Sequence, residues 1–193
     1  MAEGDRARWD ARWHERRVDD GAAPSSFLVA LEDVLPRGDA VPAPRALDVA
    51  GGAGRNAIWL ARRGLAVTLV DVSPVALERA RAAAARAGVS LDLVAADLER
   101  EALPPGPFDV VVSVDFLWRP LFAALPAVLT PGGILVVVHP TRRNLERHAH
   151  PTARFLLAEG ELRTLVARDF VLLRYDEDWF GDRHEARLAA RRR

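Results

Sequence analysis

The 193-residue chain has no cysteine and no lysine; all 27 of its basic residues are arginine. Without cysteine there can be no disulfide, thiolate metal site or cysteine nucleophile. Without lysine, every mechanism that requires a catalytic amine of that kind is closed, whatever the origin of the arginine bias, for which GC-rich coding is cause enough. Net charge is also lacking: 27 acidic residues balance the 27 basic ones. No overall field therefore draws the chain to nucleic acid or to a membrane surface. No apolar run reaches the roughly 18 residues a membrane span needs. The opening MAEGDRARWD has no signal-peptide core, so the cytoplasm is the expected location. Half of the residues are apolar. At this length they suffice for one domain with a real core, expected to span 1–193.

What the chain does have is a glycine turn between two apolar runs, each carrying an acid. The stretch ALDVAGGAGRNA, Ala46 to Ala57, starts apolar, turns through Gly51, Gly52 and Gly54, and enters a helical pattern. Asp48 sits near the end of the first run and Asp71 closes the next, Ala66 to Val70. Strand, glycine turn, helix, strand and acid make the layout of a nucleotide-binding βαβ unit. Glycine serves the turn because it tolerates φ > 0 and lets a ligand approach the backbone.

Around this unit the chain reads as alternating strands and helices. Asp5 to Arg17 is arginine-rich with Trp9 and Trp13 four apart, so on a helix the two indoles share a face. Such a helix either packs on the domain or forms a lid over a ligand pocket. A turn is expected at 20–24, a second helix over Phe27 to Leu35 and a linker from Asp39 to Pro44. Strands follow at Ala46 to Ala50, Ala66 to Val70, Leu91 to Ala95, Phe108 to Val114 and Ile134 to Val138. Helices are expected from Asn56 to Arg63, from Pro74 to the stop at Gly88, and from Pro120 to Leu129. Runs such as VVVSV and ILVVV are apolar at successive positions, as strands buried on both faces are. Beyond a polar stretch, Thr141 to Thr152, comes a short helix at Gly160 to Val166. The last two strands, Phe170 to Tyr175 and Glu185 to Ala190, are linked too tightly for a helical crossover and must form an antiparallel hairpin. The expected fold is α/β: a Rossmann-like, doubly wound, mostly parallel sheet of seven strands with a terminal hairpin and an N-terminal helical lid. Its parts are a helical cap over 1–38, a ligand-binding core over 45–139, and a substrate-side segment with the hairpin over 140–193.

The run Gly52-Ala-Gly54-Arg-Asn-Ala57 also satisfies the loose dinucleotide pattern. Three observations weigh against that ligand. Asp48 would aim a carboxylate at a pyrophosphate, and suits a cationic amino group instead. A short-chain dehydrogenase needs a Tyr-x-x-x-Lys pair, which a chain without lysine lacks. The terminal hairpin departs from the usual dinucleotide topology, whose sixth strand is parallel. S-adenosylmethionine, adenosine at one end and an amino acid at the other, fits better.

The combination LDVAGGAG, VTLVDVSPVALERA, AADL, FDVVVSV and LTPGGILVVV resembles the class I S-adenosylmethionine-dependent methyltransferases from about Arg45 to His139. Arg55-Asn56, FLWRPLF at 116–122, RFLLAEGELRTL, RYDED and HEARLAARR look like the tellurite-resistance methyltransferases and their uncharacterised relatives. The resemblance implies that Asp48 and the backbone at Ala50, Gly51 and Gly52 hold the methionine moiety, with Asn56 also among the cofactor-binding residues. It implies that Asp71 takes the ribose hydroxyls with Val72 against the adenine, that Asp97 and the Leu98 amide meet the adenine, and that Ser113 or Val114 offers a carbonyl beside the sulfonium. Ala50 departs from the usual first glycine, which is tolerable if its φ is ordinary. The loop between the last two strands is short, which puts tellurite itself in doubt. Asp115 reads as a solvated loop acid.

Methyl transfer is an in-line displacement, so the protein mainly aligns the acceptor and excludes water. His139, ending strand five, is the best-placed general base, or is simply bonded to backbone. Trp9, Trp13, Trp118, Arg119, Arg142 and Arg154 are the candidate acceptor-side residues. The arginines suit an anionic acceptor. No Asn/Asp-Pro-Pro-aromatic motif follows strand four, and no metal site is expected. The expected acceptor is therefore a small molecule with no nucleic-acid or membrane partner. The alternatives are a non-catalytic S-adenosylmethionine-binding regulator and a nucleotide-sugar or NAD module.

Overall fold

A computed structural model describes residues 2–15, 23–39 and 42–193. Two helices, α1 (Ala2–Glu15) and α2 (Ser26–Val29), precede a seven-stranded sheet. Its strands are β1 (Arg45–Val49), β2 (Ala66–Asp71), β3 (Asp92–Ala95), β4 (Phe108–Val114), β5 (Leu129–Pro140), β6 (Phe170–Phe180) and β7 (Arg183–Arg192). The intervening helices are α3 (Arg55–Arg62), α4 (Pro74–Ala87), α5 (Leu121–Val128) and α6 (Glu161–Val166). The strand order is β3-β2-β1-β4-β5-β7-β6. The first five strands pair in parallel, and β7 runs antiparallel to both β5 and β6. The expected sheet and its terminal hairpin are both present.

The continuous apolar runs split by alternation between two cores, one on each face. Leu47, Val49, Val111, Leu135 and Val137 face α5 and α6, packing with Phe122, Leu125 and Leu162. Ala46, Val110, Val112, Ile134 and Val136 face the other way, against Phe27, Leu60 and Leu77 of α2, α3 and α4. A period of two inside an all-apolar run yields a sheet covered on both sides. The strand order reverses between β1 and β4, and a cleft opens there beyond their carboxyl ends.

Some boundaries differ from the sequence reading. The second helix is α-helical only over Ser26–Val29. Beyond it Leu31 and Glu32 donate to the carbonyls three residues back, the tighter 3-10 pattern, while Leu31 and Leu35 keep their buried spacing. Strand β5 begins at Leu129, ahead of the Pro131-Gly132-Gly133 segment, because Leu129 pairs with Phe108 before a register shift restores the ladder at Ile134. Both hairpin strands run longer than expected, since Phe180 pairs with Arg183 across a two-residue turn. The 20–24 turn and the 39–44 linker lie partly outside the described residues, as does Arg17 at the expected end of the first helix.

Helix α1 packs on α4 and on the glycine turn. The Ser73 hydroxyl donates to the Asp10 carboxylate. The same Oγ accepts from the Ala76 amide at 3.2 Å, capping α4. The Trp13 indole lies so close to Gly52 that a Cβ there would come within 2.7 Å of it. Ser73→Ala removes cap and latch together. The loss of the cap is expected to cost about 1 kcal/mol by urea denaturation, and limited proteolysis should cut α1 faster than in the parent.

Candidate active site

Two buried acids on neighbouring strands define the site. Asp48 on β1 is 1 % exposed, and its Oδ2 accepts from the Ala57 amide at 3.1 Å, tying the strand to the first turn of α3. Asp71, ending β2, is also buried; its Oδ2 accepts from the Gly52 amide and its Oδ1 from the Ser73 amide, each at 2.9 Å. The two carboxylates thus shape the glycine turn, whose Gly52 has φ +57°. Burial pushes the Asp48 carboxyl up to about 7, opposed by the Ala57 amide and the Arg55 charge. Burial also raises Asp71, against three backbone amides and with help from the Asp10 charge.

Ala50 corrects the expectation of an ordinary φ: it sits at +52°. The turn demands the left-handed region at the usual glycine position even though this chain places an alanine there.

A cleft of about 1680 Å³ runs from this turn to the ends of β4 and β5. It is larger than a pocket for one drug-sized ligand, which suits two adjoining ligands. Val72, Asp97, Leu98 and Val114 line it with the acids and the turn. Asn56 lines it too, but its Oδ1 is taken by the Ser25 amide at 2.9 Å. Ser113 does not line it; the side chain is buried in the sheet with an unpartnered Oγ. Trp9 and Trp13 line the cleft at the end where α1 meets the glycine turn and Ser73. The N-terminal helix therefore covers the side of Asp48 and Asp71, rather than an acceptor side alone.

At the other end lie Trp118, Arg119, His139 and Arg154. Arg119 is corrected from acceptor ligand to brace: its Nε and Nη2 fork onto Glu161 at 2.5 and 3.0 Å. Its Nη1 and Nη2 also reach the carbonyls of Arg154 and Leu156, at 3.4 and 3.2 Å. Arg142 is corrected as well, because it is exposed and lies outside the cleft lining. His139 is 5 % exposed and donates from Nε2 to the Phe155 carbonyl at 2.8 Å. The sequence reading missed the role of Asp115, which has φ +64° and pairs with Arg55 and Arg183. No local pattern announces it, since Arg183 arrives from the hairpin tip 68 residues away. Among the described residues, no cluster of three or more His, Asp or Glu could hold a metal ion.

Residues 46–133 match the family model described as "Methyltransferase domain". By this match those residues are similar to a methyltransferase domain, and the sheet around them has the class I methyltransferase fold. The chain's residues are 32% identical over 144 positions to an uncharacterised protein of Mycobacterium tuberculosis, covering 72% of this chain and 50% of that one. They are 34% identical over 118 positions to the tRNA 5-carboxymethoxyuridine methyltransferase of Escherichia coli, covering 54% of this chain and 43% of that one. In fold, the chain is similar to a TehB-like SAM-dependent methyltransferase from Corynebacterium glutamicum, with a TM-score of 0.65 and 18% identity over 100% of this chain and 98% of that one. The chain spans half or less of the length of the curated relatives it matches. Among the described residues, no helix is long and apolar enough to cross a membrane.

Two outcomes follow from the strained turn and the buried acid. Ala50→Gly should raise stability by about 0.5–1 kcal/mol in urea denaturation, the strain relieved less the extra unfolded-state freedom of glycine. Asp48 has a folded pKa of about 7 against an ordinary 3.8. Below pH 3.8 both folded and unfolded chains hold the proton and no penalty exists. As pH rises to about 7 the unfolded chain ionises first and is favoured, and above 7 the cost is constant. Asp48→Asn should therefore stabilise the ligand-free protein by a few kcal/mol at pH 8, and hardly at all near pH 4. Denaturation at the two pH values measures the difference.

Proposed function

We propose that the chain binds S-adenosylmethionine and transfers its methyl group to a small-molecule acceptor. The observation that carries the reading is the pair of buried carboxylates, Asp48 and Asp71, on adjacent strands flanking the glycine turn. Desolvated acids are costly unless a partner arrives. A cationic α-amino group on Asp48 and ribose hydroxyls on the spare lone pairs of Asp71 are partners of the right chemistry. When bound, the cofactor supplies an already activated methyl group on a sulfonium.

The remaining roles belong to the chain itself. Asp97 and Leu98 line the cleft beyond Asp71 and suit the adenine, with Val72 against its face. Trp13 lies over Gly52 and keeps water from the turn. Asp10 latches the helix that bears it to Ser73. Trp118, Arg154 and His139 stand at the far end, where an acceptor is to be aligned and water excluded.

A nucleic-acid acceptor is the second reading, favoured by the relative named as a tRNA methyltransferase; zero net charge does not exclude a local basic site. A regulator that binds the cofactor without turnover is the third. Calorimetry with S-adenosylhomocysteine tests the cofactor, and labelled cofactor with small molecules or tRNA separates the acceptors.

Asp71→Ala should weaken S-adenosylhomocysteine binding by about 1.5–3 kcal/mol, the range for hydrogen bonds to a charged group. Because α1 covers the cofactor end, removing residues 1–17 should weaken that binding as well as lower turnover. Affinity unchanged in the truncated protein would show α1 to be a packing element only.

A further inference from the structure

Arg55 is the first residue of α3, just past the glycine turn, and it is fixed at one end and loose at the other. Its backbone is held because the Ala57 amide, in the same first turn, donates to Asp48 at 3.1 Å. Its guanidinium is not. Among the described residues the carboxylate it pairs with is Asp115, at 3.6 Å, too far for a hydrogen bond, and the two side chains are 39 % and 41 % exposed. An ion pair so open to water contributes little to stability and is easily exchanged. The Arg55 charge also reaches Asp48, where it opposes the effect of burial.

Asp115 comes to the same place from the neighbouring strand. Val49 pairs with Ser113 at the end of the β1–β4 ladder, so the glycine turn and Asp115 leave the sheet side by side, from strands ~4.8 Å apart. The Asp115 amide donates to the Val138 carbonyl at 2.9 Å, and the residue is held at φ +64°, a region that costs strain in a residue other than glycine. Its Oδ2 faces Arg55 while its Oδ1 accepts from Arg183 Nη2. One carboxylate thus stands between two guanidiniums, and Asp48, Gly51, Arg55, Asp115 and Arg183 all line the same cleft. Arg183 also has Glu185, 3.4 Å from its Nε. Of the two cations, Arg55 is therefore the one with donors to spare among the described residues.

We propose that Arg55 is the subsite for the α-carboxylate of the cofactor, and that Asp115 occupies it in the ligand-free chain. This proposal rests on the S-adenosylmethionine reading above. The α-amino group and the α-carboxylate are substituents of one carbon, so whatever places the first on Asp48 delivers the second beside it. Asp48 and Asp71 repel a carboxylate, whereas a guanidinium fork matches it with two parallel hydrogen bonds. Arg55, anchored at the Asp48 end of the turn, leaves Asp115 and closes on the incoming group. Asp115 keeps Arg183 as its partner, so the exchange leaves no carboxylate without a cation. The Arg55–Asp115 pair thereby selects a ligand that carries a whole amino acid over one that carries only an amine.

Calorimetry of the full chain with two probes tests this. One is S-adenosylhomocysteine; the other is its decarboxylated analogue, which keeps the amine at the end of an aminopropyl chain. The parent should bind S-adenosylhomocysteine about 10–100-fold more tightly than the analogue, the range for hydrogen bonds between charged groups. Arg55→Gln should cut that ratio to about threefold or less by weakening S-adenosylhomocysteine alone, and Arg55→Lys, which keeps the charge without the fork, should restore it in part. The analogue is the control for folding, since its affinity for Arg55→Gln should match its affinity for the parent. Asp115→Asn removes the competing carboxylate, and asparagine tolerates left-handed backbone. The ratio in that variant should equal or exceed the parent's. The proposal is overturned if the parent binds both probes alike, if Arg55→Gln keeps the parent's ratio or weakens both probes equally, or if Asp115→Asn loses the preference. Each of these outcomes leaves cofactor binding itself standing. Binding of neither probe to the parent would remove the S-adenosylmethionine reading and this proposal together.

Discussion

The hydrogen bond from the Ala57 amide to the Asp48 carboxylate holds the central part of the molecule in register. It fastens the end of β1 to the first turn of α3, and everything between, the turn from Ala50 to Gly54, must close over that short span. The closure forces Ala50 and Gly52 into left-handed backbone. It also turns the Gly52 amide toward Asp71 on the neighbouring strand. One buried acid thereby sets the geometry of the second.

Neither acid is there for stability. Burial raises both, so the folded chain carries carboxylates that would be more comfortable in water. Such a cost is characteristic of binding sites, where the missing partner is a ligand. Helix α1 belongs to the same economy. Its Asp10 latches to Ser73 beside Asp71, and its Trp13 covers Gly52, so the element nearest the N-terminus shields the acids furthest inside the sheet.

The far end of the cleft is organised by a different device, the Arg119–Glu161 fork. It joins the turn before α5 to the start of α6 and secures the carbonyls of the segment that carries Arg154 and Phe155. The Arg119 guanidinium holds Glu161 below the usual carboxylate range. With most of its N–H groups engaged in this way, Arg119 positions the wall, and Arg154 lines the cleft beside it.

The sequence by itself determined the sheet, the glycine turn and the two acids. Apolar runs, breakers and acids at strand ends are local signals, each dictated by burial on both faces or by backbone geometry near the residue. The hairpin was legible for the same reason, because a short link admits only one direction of return. What only the tertiary structure decided depends on partners distant in the chain. Sequence could place Arg119, Arg142 and Arg154 in one basic region, but not tell which was spent on Glu161, which faced solvent and which was left over. It could mark Trp9 and Trp13 as one helix face, but not that the face rests on Gly52. It could not foresee that Asp115 meets Arg183 across 68 residues, or that Ala50 is strained. An ion pair is chosen by three-dimensional proximity and by what else competes for the same donors, and neither is written in the order of residues.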